Sequence, residues 1–474
     1  MALDINLRDA TAGTPVSMTT AGEIRVAPPA DKSKFYVHFP HDDGSLDAFE
    51  KLRVSEPRNV FEYNFATLPS TSTTIWEVAA VASGTSTLTT QLYGTDLNTL
   101  VGAGTGYWVQ SFAHTRYRAG ISVMFRATFN FNELIPNVRS RIGMFTDSGV
   151  FPSIAGDGFY IEADGTAIAL VRRYATTSVT GLEERTLQSS WNLDKMNGTG
   201  SSGVNLDWTK AQHFVVEYQW LGVGMLRFGF DCGAADGIVW CHEFIATNTI
   251  TGPWCRTGSL PVRAEIITTS AASQPGKLTL INCVVQHEGA IEERTHRYFS
   301  ANTGATLRTV GTATGLFPLM SVRATPSTAV AGQVGALTAR ARIRPVSISI
   351  SVITVGTGTT SIQLALLMLP TPNTSATFAV ATAGSTTQVD IAATAATAVT
   401  GVLIHSWIIP NVVGTYTFDL SNYDDNINLI GHPAVHVTSP ITGSSVLTLA
   451  AGTLTGTTTV APAFAASLNW KEII

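Results

Sequence analysis

Apolar and polar residues alternate over long stretches of the chain, most clearly in residues 213–230 (HFVVEYQWLGVGMLRFGF). One face of this segment carries Phe214, Val216, Tyr218, Trp220, Leu226, Phe228 and Phe230. A period of two is typical of β-strands, whose successive side chains point to opposite faces. Because the residues on this face are large and mostly aromatic, the pattern predicts two sheets packed face to face.

A tight hairpin is predicted at residues 159–173 (FYIEADGTAIALVRR). Both halves alternate, and the dipeptide Asp164–Gly165 between them supplies the turn, since such dipeptides adopt the positive φ of two-residue loops. Similar runs of β-branched and aromatic residues recur between turn residues along the chain. We therefore predict an all-β protein with jelly-roll-like β-sandwich domains.

The predicted domain organisation has three parts. Residues 1–47 show no strand or helix period and contain several prolines, which indicates an extended N-terminal arm for anchoring or assembly. Residues 48–312 form the predicted main β-sandwich domain. Residues 313–474 form a second, C-terminal β-sandwich that is rich in Thr and Ala, with Asp390 as the only charged residue between 345 and 418.

The low charge of the chain excludes some partners. Charged residues make up 13% of the sequence and the formal net charge is −5. Because phosphate binding needs concentrated positive charge, no nucleic-acid partner is expected. The longest apolar candidate, SIQLALLMLP, ends at Pro370, short of the roughly 18 residues that span a bilayer, so no membrane insertion is expected.

A glycine-rich segment, residues 191–207, carries oxygen ligands that could suit calcium. The candidate ligands are Asp194, Asn197 and Asp207. Their spacing departs from the alternating ligand positions of calcium loops, which favours a wide connection with Asx-turns over a metal site. No cofactor is expected, and the calcium loop is kept as the alternative.

Paired carboxylates are the other candidate chemistry, because glycosidases need two that converge across a groove. Glu183–Glu184, Glu292–Glu293 and Asp424–Asp425 are adjacent in sequence, so each pair would point to opposite faces of a strand. Glu162 and Asp164 could share a face, but the hairpin turn uses Asp164. We interpret all of these as a solvated rim and predict that the protein is not an enzyme.

Aromatic residues are candidates for stacking on sugars, and the candidate rings are Tyr107, Trp108, Trp240, Trp254 and Trp407. Exposed rings bind carbohydrate, whereas buried rings fill a sandwich core. The sequence leaves both interpretations open.

The four cysteines are too few and too scattered for a disulfide framework. If Asp236–Gly237 forms a two-residue turn, Cys232 lies directly opposite Cys241. A bridge between them is then sterically possible, but two small buried thiols are favoured, because residues 1–13 lack the pattern of a secretory signal and a reducing cytosol is expected.

Three stretches resemble a family of virion structural proteins of tailed phages and large DNA viruses. They are AFEKLRVSEPRNVFEYNF (48–65), GDGFYIEADGTAIALVRR (156–173), and SWNLDKMNGTGSSGVNLDWTKAQHFVVEYQWLGVGMLRFGF (190–230) with GSLPVRAEI (258–266). The third is the most specific, through its WNxD, GTG and WLGVG motifs. Proteins of this family are β-rich and are not characterised as enzymes, so the resemblance implies no catalytic residue.

The resemblance implies a location in the virion after synthesis in the host cytoplasm. We predict a homo-oligomer, expected to be a trimer, that contacts other virion proteins of the capsid, neck or baseplate. It would be a surface component, either a head decoration or fibre or a tail fibre or adaptor. The alternative function is a host-attachment adhesin that binds surface glycans on the same scaffold.

Overall fold

The computed structural model contains strands and two 3₁₀-helices, Pro69–Thr71 and Gln188–Ser190, but no α-helix in its described part. It describes residues 17–18, 24–25, 57–71, 75–89, 93–115, 117–146, 156–174, 182–233, 237–289, 296–304, 306–310, 315–324, 342–358, 361–369, 377–381, 385, 387–391, 398–420, 429–430, 446–454 and 460–473. Among these residues no helix is long and apolar enough to cross a membrane.

Strands up to residue 288 form a first group. Their bounds are β1 (Ser17–Met18), β2 (Ile24–Arg25), β3 (Arg58–Asn64), β4 (Trp76–Val81), β5 (Thr85–Thr89), β6 (Gly94–Asn98), β7 (Gly106–Thr115), β8 (Ser122–Asn130), β9 (Val138–Phe145), β10 (Gly158–Asp164), β11 (Ala167–Tyr174), β12 (Leu182–Leu187), β13 (Gln212–Tyr218), β14 (Leu226–Asp231), β15 (Ile238–Phe244), β16 (Leu260–Thr268) and β17 (Lys277–Glu288). Sheet A has the order β12-β11-β10-β9-β16-β7-β4. Sheet B has the order β15-β14-β13-β8-β17-β6-β5, and β3 also pairs with β17.

The remaining strands form a second group. They are β18 (His296–Asn302), β19 (Arg308–Thr309), β20 (Phe317–Ala324), β21 (Arg342–Thr354), β22 (Ser361–Leu369), β23 (Ala379–Val380), β24 (Thr387–Asp390), β25 (Val402–Pro410), β26 (Gly414–Asp419), β27 (Leu429–Ile430), β28 (Val446–Thr453) and β29 (Ala463–Ile473). Sheet C has the order β18-β29-β21-β26, with β19 on β29 and β27 on β21. Sheet D has the order β23-β24-β20-β28-β22-β25.

Sheets A and B pack face to face around one apolar core, which confirms the predicted β-sandwich. Phe159 of sheet A meets Phe228 of sheet B edge to face, with ring centroids 6.0 Å apart. The inward residues predicted in β13 and β14 are all buried in this core: Phe214, Val216, Tyr218, Leu226, Phe228 and Phe230. Trp220 lies beyond the end of β13, where its indole N–H donates to the backbone oxygen of Cys255 at 2.8 Å.

The predicted hairpin of residues 159–173 is confirmed, with β10 and β11 paired along their whole length. Asp164 pairs with Ala167, so the two-residue loop is Gly165–Thr166, one residue later than predicted. Gly165 has φ +59°, the left-handed conformation that a residue without a Cβ adopts at low cost.

The predicted register around Cys232 and Cys241 is wrong. Asp231 pairs with Ile238, so the loop is longer than two residues, and a bulge between Phe228 and Gly229 shifts the register further. Cys241 therefore lies in the bulge, where its thiol donates to the backbone oxygen of Phe228 at 3.3 Å. All four cysteines are free thiols.

Sheets C and D enclose a second core, in agreement with the predicted C-terminal β-sandwich. Trp470 of sheet C donates its indole N–H to the Thr387 hydroxyl of sheet D at 3.2 Å. β18 and β19 pair with β29 and therefore belong to the second sandwich. The boundary between the two sandwiches thus lies between Glu288, the end of β17, and His296, the start of β18. The sequence placed this boundary at residue 312, where the composition changes. Of the predicted arm, residues 1–47, all but β1 and β2 lies outside the described residues.

Candidate functional site

The outer face of sheet A carries a layer of charged side chains, and it is the strongest candidate site of the first sandwich. Glu162 of β10 lies opposite Arg141 of β9, which lies opposite Glu265 of β16. The next row runs through Tyr160, Gly143, Arg263, Gln110 and Glu77. We call the following residues the charged layer: Glu77, Gln110, Arg139, Arg141, Glu162, Asp164, Arg173, Glu183, Arg185, Arg263 and Glu265. Five arginines balance five carboxylates among them.

Arg141 connects two carboxylates within the charged layer. Its Nε donates to Glu162 Oε2 at 2.7 Å and its Nη1 donates to Glu265 Oε1 at 3.0 Å. Arg263 holds the other oxygen of Glu265, with Nε 3.0 Å from Oε2. Burial raises the pKa of Glu265, but the charges of Arg263 and Arg141 outweigh burial and keep that pKa below its usual value.

Aromatic rings lie among these guanidinium groups. The guanidinium carbon of Arg141 is 4.9 Å from the centre of the Tyr160 ring, and that of Arg263 is 4.6 Å from the Trp108 ring. Gly143 lies between Tyr160 and Arg263 in the same row, and a Cβ there would come within 2.2 Å of Phe159 O. The layer is therefore packed as tightly as a core, with attraction between cations and ring faces added to the ion pairs.

This geometry is unsuited to glycoside hydrolysis. Such hydrolysis needs one protonated acid and one ionised partner. Glu162 and Glu265 instead both accept from the guanidinium of Arg141 and both are buried, so neither carboxylate is presented to a substrate.

The solvated-rim interpretation is wrong for Glu162, which is completely buried. The Glu162 carboxylate pairs with Arg141 of β9 and Arg185 of β12. The alternation of residues within β10 contains no information about these partners on other strands. Glu183 and Glu184 lie on the edge strand β12 and are exposed. The pairs 292–293 and 424–425 lie outside the described residues.

The oxygens of the predicted calcium ligands bond within their own loop. Asp194 accepts the backbone N–H groups of Met196 and Ser202, both at 2.7 Å, and these bonds lower its pKa although burial, the largest influence, raises it. Gly200 packs against this carboxylate, since a Cβ there would lie 2.0 Å from Asp194 Oδ1.

Asn197 and Asp207 each form a separate Asx-turn. Asn197 Oδ1 accepts the backbone N–H of Thr199 at 3.1 Å, and Asp207 Oδ1 accepts that of Thr209 at 3.1 Å. In the described part of the chain no group of three or more His, Cys, Asp or Glu side chains could hold a metal ion. The arrangement matches the favoured interpretation, a wide connection built from turns.

The start of this connection caps the open edge of sheet B. The Asn192 side chain donates to the backbone oxygen of Glu243 and accepts its N–H, both at 2.9 Å. The backbone N–H groups of Leu193 and Asp194 both donate to the oxygen of Cys241 at 3.1 Å. The WNxD motif thus satisfies backbone groups of Cys241 and Glu243 on the outer side of edge strand β15.

Four of the five candidate glycan-stacking rings are buried. Trp254 is fully buried, and Tyr107, Trp108 and Trp240 are at most 7% exposed. The stacking interpretation is therefore wrong for these four, because none presents a ring face to a sugar. Tyr107 and Trp254 pack in the core between sheets A and B, while Trp108 and Trp240 stack beneath Arg263 and Arg227.

Trp407 is the fifth ring and is partly exposed on β25, the edge strand of sheet D. The ring centroids of His405 and Phe418 lie 4.4 and 4.7 Å from it. Phe418 belongs to β26, the edge strand of sheet C, so these three rings lie where both sheets of the second sandwich end. Trp407 is therefore the one predicted ring that is not buried, and its neighbours His405 and Phe418 were not among the predicted residues.

No protein-family profile matches the chain, and no curated protein matches it. Similar solved structures include the potassium-bound carbohydrate recognition domain of Emp46p, with 10% identity, 48% of this chain and 96% of that chain covered, and a TM-score of 0.31. A legume lectin-like domain from Entamoeba histolytica is 8% identical, with 49% of this chain and 98% of that chain covered and a TM-score of 0.29. A family 16 glycosyl hydrolase from Mycobacterium smegmatis is 14% identical, with 48% of this chain and 100% of that chain covered and a TM-score of 0.30. At these identities and TM-scores the likeness carries no argument about activity or ligand.

Proposed function

We propose that the protein is a non-enzymatic structural component of a bacteriophage particle. It would be an oligomeric surface protein, a head decoration or fibre or a tail fibre or adaptor, anchored through residues 1–47. The proposal combines the family resemblance of residues 48–300 with one structural observation. The charged layer, the group best placed for chemistry, is bonded within itself, which suits a stable building block better than a catalyst.

The virion location is tested on purified particles of the phage that encodes the chain. We expect mass spectrometry to detect the protein in stoichiometric amounts and cryo-electron microscopy to place its two β-sandwiches on the particle surface. Absence from purified particles, with the protein abundant in the lysate, would overturn the proposal.

The anchoring role of residues 1–47 requires a separate test. A chain lacking these residues should keep its β-rich circular dichroism spectrum and the mass of a trimer in light scattering, yet fail to join particles in a complementation assay. Normal incorporation of the shortened chain would contradict the anchoring role without touching the virion location.

The exposure of Trp407 supports the second candidate function, a glycan-binding adhesin. Trp407 is partly buried but not enclosed, and it lies beside His405, so an aromatic ring and a polar group stand together as they do in many sugar-binding sites. We expect a glycan array to show binding that Trp407→Ala abolishes and Tyr93→Ala leaves unchanged, since Tyr93 is 77% exposed on the other sandwich. No binding across host surface polysaccharides would exclude this function.

A further inference from the structure

Two buried basic side chains, one from each sheet, meet at the side of the first sandwich. Arg172 comes from β11 of sheet A and His242 from β15 of sheet B, and each is only 6% exposed. Both contact the ring of Phe244. The guanidinium carbon of Arg172 is 5.1 Å from its centre, and the His242 ring meets it edge to face at 4.5 Å.

Each of the two side chains keeps one nitrogen without a hydrogen-bond partner in the described part of the chain. Arg172 Nη2 pairs with the Glu184 carboxylate, whereas Nη1 is buried and unpaired. His242 Nδ1 accepts the backbone N–H of Asn192 at 3.3 Å, so the proton of the neutral ring is on Nε2, which is buried and unpaired. Leaving a buried donor without an acceptor is costly, which favours a bound partner at this position.

The chemistry of that partner follows from the donors. Both groups are N–H donors and neither offers an acceptor, so the partner must supply acceptor oxygens. An oxyanion fits, because it has only acceptors, whereas a water molecule brings two hydrogens that themselves need acceptors. Glu184 pairs with Arg172 from the edge strand β12, and 54% of its side chain lies in solvent.

We propose that Arg172 Nη1 and His242 Nε2 form a binding site for a small oxyanion, a carboxylate or phosphate group, beside the Phe244 ring. This site goes beyond the proposed structural function, and neither depends on the other. The donors come from two different sheets, so a bound oxyanion would link sheets A and B at their common edge.

Charge balance makes the binding depend on a proton. Glu184 already offsets the charge of Arg172, and the other nearby carboxylate, Glu243, follows His242 on the opposite face of β15. Without a ligand, burial and the charge of Arg172 lower the pKa of His242 to about 4. A bound anion would favour the protonated ring, so oxyanion binding and protonation of His242 should each strengthen the other.

The test is a histidine NMR titration of the full chain in which acetate or inorganic phosphate replaces chloride at constant ionic strength. The signal of His242 is assigned with His242→Gln. We expect either oxyanion to raise the pKa of His242 by about 1 or more, the effect of an opposite charge at contact distance. In Arg172→Gln this rise should disappear, with folding of the variant checked by circular dichroism.

His213 on β13 serves as the internal control. Burial also lowers its pKa, but its charged neighbour is Asp231 of β14, a carboxylate, so it is not part of the proposed oxyanion site. An equal rise for His213 would show a general salt effect and overturn the site. An unchanged His242 in both oxyanions would show that water alone occupies the position, which also overturns it. A rise that persists in Arg172→Gln would exclude the two-donor geometry, and a response to only one of the two anions would identify the class of ligand.

Discussion

Arg141 joins carboxylates from two strands within the charged layer. It is 2% exposed and bonds carboxylates on both neighbouring strands, Glu162 on β10 and Glu265 on β16. Breaking a buried ion pair by removing one partner costs more than the pair itself contributes, because the remaining charge stays buried without compensation. Removing the Arg141 guanidinium should therefore destabilise sheet A.

We expect Arg141→Met to lower the free energy of unfolding by about 3–5 kcal/mol, measured by urea denaturation at neutral pH. The matched control is Lys210→Met, which breaks the Lys210–Asp207 pair at 3.2 Å on the surface and should leave stability nearly unchanged. Equal small losses for both variants would mean that the charged layer contributes little.

His242 gives a stability change with pH whose sign follows from its lowered pKa. The folded value is about 4, below the value of about 6.5 for an unfolded chain. As pH falls from 6.5 to 4 the unfolded chain takes up the proton first, so the free energy of unfolding decreases in this window and is unaffected above it. Glu265 acts in a separate window, because its pKa is lowered and its contribution is lost only in more acidic solution.

We expect the wild-type chain to lose about 1–2 kcal/mol more than His242→Gln between pH 7 and pH 5, in chloride without acetate or phosphate. Urea denaturation at the two pH values measures the difference. Parallel pH curves for the two proteins would show that His242 has an ordinary pKa.

At the scale of single residues, the sequence predicted local roles, such as turn formation, better than contacts with residues on other strands. It singled out Asp194, Asn197 and Asp207 correctly as turn formers, because Asx-turns depend on neighbours two residues away. The charged layer could not be derived in the same way, since most of its pairs join different strands; Arg141 and Glu265, for example, are 124 residues apart. A signal was present in the i, i+2 charges of RSR (139–141), EAD (162–164) and RAE (263–265).

Among the elements, edge strand β15 shows how an exposed strand is kept from pairing with other molecules. Edge strands present unpaired N–H and C=O groups that other chains can bind. Here the carboxamide of Asn192 forms the two backbone hydrogen bonds at Glu243 that a neighbouring strand would otherwise form. The backbone N–H groups of Leu193 and Asp194 likewise bind the oxygen of Cys241.

Asn192→Ala should remove both side-chain bonds to Glu243 and lower stability by about 1–3 kcal/mol, at about 0.5–1.5 kcal/mol for each bond. Sedimentation velocity should also show additional self-association, since the edge of β15 becomes available. Asn197→Ala is the control, because its side chain bonds only within its own turn. Unaltered sedimentation and stability in Asn192→Ala would remove the proposed role of the cap.

The sequence predicted those elements whose shape is set by residues close together in the chain. The β10–β11 hairpin and the inward face of β13 and β14 were predicted because turn residues and alternation lie within a few residues of each other. The register of β14 and β15 was not, because a bulge at Cys241, opposite Phe228 and Gly229, and a longer loop override the Asp236–Gly237 signal. Bulges depend on the packing of the partner strand, which a single segment does not encode.

For the whole molecule, the two separate apolar cores predict two separable unfolding events. Phe228 is fully buried in the first core and Leu449 is 1% exposed in the second. We expect calorimetry to resolve two transitions, with Phe228→Ala shifting one and Leu449→Ala shifting the other, since each costs about 2–5 kcal/mol in its own core. A single transition that both variants shift equally would show that the sandwiches unfold as one unit.

The pairing of β18 with β29 has a consequence for how the protein is made. About 160 residues separate the end of β18 from the start of β29, so at 5–20 residues per second the ribosome takes roughly 8–30 s to deliver the second strand after the first. During that interval β18, with Tyr298 and Phe299, has left the ribosome without its eventual neighbour. Neighbouring nascent chains on one polysome each expose β18 before β29 has been synthesised. Identical chains can therefore associate through this strand during translation.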